Sequence, residues 1–237
     1  MLITELFRRL SYGELSNIAL GSEGVGSIPE DGHNRIINYA NEALLRLHSR
    51  FLLRENILFF EQVPHLTYYY MLKRFARSEL TDPPCPNTPH LYILDNEDEP
   101  FQDDVIKIMQ VIDQDGKIQV LNDIECATSL YTPQPNMLQV PDPVEGMVFA
   151  VEYQARHPEL KFDDLCQEID IPFVLEGALT AYIAHKVFSH MTGQENTAKA
   201  TDFLAMYEGI CAEVQAQDTV SQSKSTTLLK FEARGFI

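Results

Sequence analysis

The feature that most constrains this chain is a change of hydrophobic period along it. Helical spacing holds near both ends, but from Asn56 to about Tyr153 it disappears, and β-branched and aromatic residues rise in its place. A helix buries a stripe with a period near 3.6 and a strand buries every second residue, so one kind of element cannot serve both patterns. The chain has to be an α+β protein in which helical blocks flank a β-rich insertion.

The N-terminal block carries two S-x-x-E capping signals, Ser11 to Glu14 and Ser27 to Glu30, each predicting a helix start. In the second, Pro29 sits where its missing N–H costs little. Ile36, Ala40, Leu44, Leu47 and Phe51 then recur at spacings of four, four, three and four, one face of a long helix running to about Leu53. Between the boxes, Gly21 to Gly26 reads as a flexible link. It does not read as a phosphate loop, because no strand precedes it.

In the middle, Ile57 to Phe60, Leu66 to Tyr70 and Met147 to Tyr153 are strand candidates. The strongest hairpin signal is Val105 to Ile112, a turn at Asp113–Gly116, then Lys117 to Leu121. The proline-rich stretch Asp82 to Pro89 is a loop. After Ile171–Pro172 a helix is predicted to about Met191, with Leu175, Leu179, Ile183 and Val187 on one face. Small residues at Gly177, Ala181 and Ala184 let a neighbour approach. Gly193 ends it, and a second helix to about Gln217 turns Phe203, Tyr207, Ile210 and Val214 inward, antiparallel to the first across so short a turn. The predicted fold is thus a helical bundle of the long N-terminal helix plus the C-terminal pair (1–55 and 156–218). It carries a β-rich insertion (56–155) and an extended C-terminal tail (219–237).

That tail changes from small and polar at Thr219 to Thr227 to apolar at its end, where Leu228, Leu229, Phe231, Arg234, Phe236 and Ile237 stand out. Two readings fit. The end folds back on its own core, or it is a tethered anchor that pairs with another chain as an added strand or a peptide in a groove.

Catalytic signals are sparse. His185 and His190 lie five apart and do not share a helix face as a ligand pair would, and His65, His90 and His157 sit beside proline-containing segments. Cys85, Cys126, Cys166 and Cys211 are scattered, without metal spacing, and read as free thiols. The acidic runs Asp95 to Glu99 and Asp103–Asp104 read as solvated loops, and Asp113 to Gly116 lacks the later ligands of a calcium loop. No cofactor or metal site and no enzymatic activity are expected. Eighteen basic against 35 acidic residues give a net charge of −17, which excludes a counterion-releasing grip on nucleic acid. No apolar run reaches the 18 or so residues that span a bilayer. The first ten residues mix acid, base and apolar side chains unlike a secretion signal, which points to a reducing cytoplasm.

Several segments together carry a resemblance: Glu5 to Asn17, Val120 to Asp123, Ser129 to Pro133, Val151 to Pro158, and Ile171–Phe173 with the helix behind it. The sequence resembles head-to-tail connector (adaptor) proteins of tailed bacteriophages, above all the short-tailed type. The resemblance implies a virion structural protein, assembled in the host cytoplasm as a ring commonly of twelve copies beneath the portal. Such a ring extends the DNA channel and offers a platform to tail nozzle or fibres. It also implies that the C-terminal segment ending in Phe231, Arg234 and Phe236 docks on the portal. An acidic channel wall would let DNA slide without sticking. Two other classes remain open on the residues alone: a soluble enzyme whose site is assembled from scattered residues, and a monomeric tail-completion or binding module.

Overall fold

Burial of a long alternating strand organises the middle of the chain. In the computed structural model, which describes residues 1–16, 28, 30–79, 90–96, 100–217 and 220, strand β7 (Val148–Ala155) buries Phe149, Val151, Tyr153 and Ala155 and leaves the residues between them half-buried. It is the central ladder of a four-stranded antiparallel sheet in the order β3-β1-β7-β4, with β1 at Glu55–Glu61, β3 at Ile93–Leu94 and β4 at Val105–Asp113. The register Phe59↔Ala150 and Val111↔Val151 places Leu58, Phe60 and Val111 on the buried side. A second sheet, β2-β6-β5, is built from Tyr68–Tyr70, Met137–Gln139 and Tyr131–Gln134. Pro133 falls in β5, at an edge of that sheet, where a missing N–H breaks no ladder.

Two buried tyrosines join the sheets. Tyr69 packs on Phe60 with ring centroids 4.7 Å apart and on Tyr92 at 5.1 Å, and Phe60 meets Phe149 at 5.7 Å. Each phenol also acts as a main-chain partner. Tyr92 Oη accepts from Tyr70 N–H at 2.8 Å and donates to Tyr70 C=O at 2.9 Å, and Tyr69 Oη does the same for Val63 at 2.9 and 3.2 Å. Burial pushes both hydroxyls upward, Tyr92 well above the usual tyrosine range, so they remain neutral donors.

The chain divides into two compact units, one drawn from Met1–Tyr39 and the chain from Leu165, the other Ala40–Asp164. In the first, helix α1 (Ile3–Tyr12) buries Ile3, Leu6, Phe7 and Leu10, and Arg9 bridges Glu5 and Glu176. Helix α3 (Phe173–Ser189) is buried on nearly every side from Ala178 to Ala184, as suits a helix that is apolar all round. Helix α4 (Gln194–Ala216) runs antiparallel to it. A methyl on Gly177 would meet Ile210 Cδ1 at 3.5 Å, Tyr182 packs on Tyr207, and Phe188 stacks on Phe203, so numbers rise along one helix as they fall along the other.

The expected helical bundle is not what forms. Among the described residues there are four helices and two antiparallel sheets, a mixed α+β protein with a β-rich core. The long helix α2 (Glu30–Arg50) does not complete a bundle with the C-terminal pair. The C-terminal half of α2 is tied instead to the end of β7 and the segment just beyond that strand. Asn41 exchanges hydrogen bonds with Leu160 at 3.1 and 2.9 Å, Gln154 Nε2 donates to Phe51 C=O at 3.0 Å, and His48 Nδ1 lies 3.3 Å from Ala155 O. An amphipathic stripe says that a helix has a partner, not which one.

Smaller expectations also shift. Ser11 does not start a helix: it lies near the end of α1, its hydroxyl donating to Phe7 C=O at 2.8 Å. In the predicted hairpin the turn forms, with Asp113 Oδ1 accepting from the N–H groups of Asp115 and Lys117 and Gly116 at φ +79°. Its second arm does not become a strand, because Val120 C=O and Asn122 N–H bond Leu130 instead. Gly21 to Gly26 and Asp82 to Pro89 lie outside the described residues.

The helical pair yields a contrast. Gly177→Ala should be tolerated in urea unfolding followed by circular dichroism, with a gain of up to about 1 kcal/mol from helix propensity. Gly193→Ala should cost about 1–3 kcal/mol, because φ is +116° there, a region L side chains rarely enter.

Candidate interaction surfaces

Carboxylates in the β-rich unit come first, since acidic runs were the nearest thing to a chemical site. Asp104 is buried, not solvated as expected: its oxygens accept from Tyr153 Oη at 2.8 Å and Asn56 Nδ2 at 2.9 Å. Burial first, then the nearby Asp104 charge, holds the Tyr153 hydroxyl far above its usual range. Asp103 adopts φ +54° and accepts from Lys73 N–H. Asp95 is also structural, its oxygens taking the Ser78 N–H and hydroxyl and the Phe101 N–H. Glu97, Asp98 and Glu99 lie outside the described residues. Asp95 and Asp104 line a cleft of about 500 Å³ together with Arg54, Phe59 and Gln102. Its carboxylates are spent on neutral donors that shape the loop, an arrangement suited to holding form and not to passing protons.

A smaller pocket of about 170 Å³ lies between the sheets' loops, walled by Leu130, Val140, Met147 and Phe149, with Thr128 and Asp142 also lining it. Gln62, 2% exposed, contributes to it. Its Oε1 accepts from Val144 N–H at 2.8 Å, which sets the orientation of the amide, and its Nε2 has no hydrogen-bond partner. An unspent buried donor costs about 1–3 kcal/mol. Beside the pocket, the loop from Asn122 to Ser129 holds Ile124 90% exposed. Nothing about that loop is slack: Asp123 N–H donates to Ser129 Oγ at 3.0 Å, Tyr131 Oη to Asp123 C=O at 3.2 Å, and Thr132 N–H to Asn122 Oδ1 at 2.9 Å.

The remaining sequence candidates separate. Among the described residues no group of three or more His, Cys, Asp or Glu is placed to hold a metal. His157 is buried with Nδ1 2.6 Å from Pro158 O, His185 Nδ1 lies 2.8 Å from Ala200 O, and His65 and His90 are exposed. Cys126, Cys166 and Cys211 take part in no disulfide among the described residues, and Cys85 is outside them. The tail residues Leu228, Leu229, Phe231, Arg234, Phe236 and Ile237 all lie outside them too. Gln62 and Ile124 were not singled out by the sequence, and Asp104 was read there as part of a solvated loop. A lone Ile inside Asn122 to Thr128 was the one available hint, whereas the burial of Gln62 and Asp104 leaves no local trace. No known protein family matches the chain, and neither does any curated protein.

The Asp95 cap gives a pH signature. Burial works to raise its pKa, but the Ser78 hydroxyl and the Phe101 and Ser78 N–H groups outweigh it, leaving the carboxyl below its usual value. Stability from a depressed carboxyl is present above the unfolded pKa of about 3.9 and is lost as pH falls through the folded value below it. Asp95→Asn should therefore be about 1–3 kcal/mol less stable than wild type at pH 7. In urea titrations repeated at several pH values, that gap should narrow below pH about 4.

Proposed function

We propose that the chain is a structural head-to-tail adaptor of a tailed phage, one copy of a ring that sits beneath the portal. There it extends the DNA channel and carries the tail nozzle or fibres. The sequence resemblance suggests which assembly this is. The structural observation that carries the reading is Ile124, held in water by an ordered loop. An assembly subunit needs apolar surface that a neighbour will cover, and Ile124 supplies some of it. Phe173, 81% exposed at the first turn of α3, is a second such residue, on the other unit.

Other features fit the role. The −17 charge suits a surface that duplex DNA passes without adhering. Among the described residues no helix is long and apolar enough to cross a membrane. Docking on the portal falls to the C-terminal segment, through Leu228, Leu229, Phe231, Arg234, Phe236 and Ile237.

The test uses the purified chain and the portal protein encoded in the same genome. Co-migration on size exclusion and a ring on the portal in negative stain are expected. Deleting residues 219–237 should abolish co-migration while leaving the circular dichroism spectrum and melting transition intact. A chain that stays indifferent to the portal sinks the adaptor reading. A truncated chain that no longer folds assigns the tail to the core instead of to the portal.

A further inference from the structure

Strand β3 stops before β1 does. The two ends of the β1–β7 ladder fix which way each residue of β1 bonds. Arg54 C=O accepts from Ala155 N–H at 2.9 Å, and Gln62 N–H donates to Met147 C=O at 2.8 Å. Even-numbered residues therefore bond to β7. Odd-numbered ones turn their N–H and C=O the other way, where Glu61 N–H reaches Tyr92 C=O at 2.9 Å. On that side β3 pairs only with Phe59 and Phe60. Among the described residues nothing bonds the outward N–H and C=O groups of Glu55 and Ile57. Where the pairing stops, the cleft of about 500 Å³ opens, lined by Ile57 and Leu58 of β1 and by Asp95 and Asn96 just past β3.

The side chains beside this open edge are apolar and acidic. Ile57 and Phe59, on the solvent face of β1, are both exposed. The described lining of the cleft holds two carboxylates, Asp95 and Asp104, against one cation, Arg54. Glu152 lies directly opposite Ile57 on β7. An open edge supplies main-chain hydrogen bonds to an incoming strand, and alternate side chains decide which strand it accepts. We infer that the edge of β1 at Glu55–Ile57 takes an extended segment of another protein as an added strand. That segment carries apolar side chains to cover Ile57 and Phe59, with Lys or Arg at the positions between to meet the acidic surround. The edge accepts such a strand whether or not the chain sits beneath a portal.

The full chain and a fluorescein-labelled, capped heptapeptide of alternating lysine and valine provide the test. The peptide should bind in fluorescence anisotropy. Replacing its lysines by glutamates should weaken binding at least about tenfold, the worth of one charge-assisted hydrogen bond. Methylating its main-chain nitrogens either at the lysines or at the valines gives two further forms. Only one set of nitrogens faces β1 in an added strand, so one form should lose binding and the other keep it. Ile57→Lys, at an exposed position, should keep the wild-type circular dichroism spectrum and lose the peptide. By nuclear magnetic resonance, the Ile57 amide should exchange quickly in the free chain and slowly with peptide. The Leu58 amide, on the β7 side, should be slow in both. No binding at about 1 mM peptide overturns the inference. Equal binding of the acidic peptide, or the same effect from both methylated forms, does so too. A slow Ile57 amide in the free chain also overturns it, since the chain's own residues then fill the edge. None of these outcomes bears on portal binding, so this inference and the adaptor reading fail separately.

Discussion

The β-rich unit depends on two phenols standing in for strands. A tyrosine hydroxyl that both accepts an N–H and donates to the carbonyl of the same residue satisfies a peptide group as a ladder neighbour would. Tyr69 does this at Val63, between β1 and β2, and Tyr92 does it at Tyr70, the last residue of β2. The rings supply apolar burial and the hydroxyls satisfy the backbone, so these turns can enter the core without orphaned polar groups. Without them, the N–H groups of Val63 and Tyr70 would lose these partners, and their carbonyls would keep only the N–H groups of Leu66 and Leu72. The aromatic contacts among Phe60, Tyr69, Tyr92 and Phe149 would also lose the geometry that joins the sheets.

Much of this architecture is legible in the sequence where a pattern is local. The runs at Ile57 to Phe60 and Met147 to Tyr153 read as strands and are strands, and the helix starting after Pro172 and the break at Gly193 lie where punctuation puts them. The failures share a cause. Ser11 to Glu14 matches a capping pattern, but the chain has already been helical for two turns. Residues Lys117 to Leu121 alternate like a strand, but Leu130 competes for their hydrogen bonds. The hairpin of β5 and β6 hides behind Pro133, Gln134, Pro135 and Asn136, which read as loop. The bundle failed because α2 has the right stripe but is bonded through Asn41, His48 and Phe51 to residues more than a hundred positions away.

The site was less legible than the fold for the same reason. Asp104 sits in an acidic loop by sequence and in a buried network by structure, and the difference is made by Tyr153 and Asn56, both about fifty residues distant. Gln62 looks like any strand-end amide until Val144 takes one end of it. Local pattern shows which residues are apolar; it does not show which polar groups the fold will strand. Stranded polar groups and ordered apolar ones are where a structure adds most to the reading of a sequence.

The buried phenols also leave an optical mark. The chain contains no tryptophan, so its near-ultraviolet spectrum belongs to its ten tyrosines, with smaller contributions from phenylalanine. Tyr69, Tyr92 and Tyr153 are buried and hydrogen-bonded, and burial raises all three hydroxyls, Tyr92 and Tyr153 most. Their chiral signal therefore reports the packing of the β-rich unit, and in an alkaline spectrophotometric titration these three hydroxyls hold their protons past the ordinary tyrosine value.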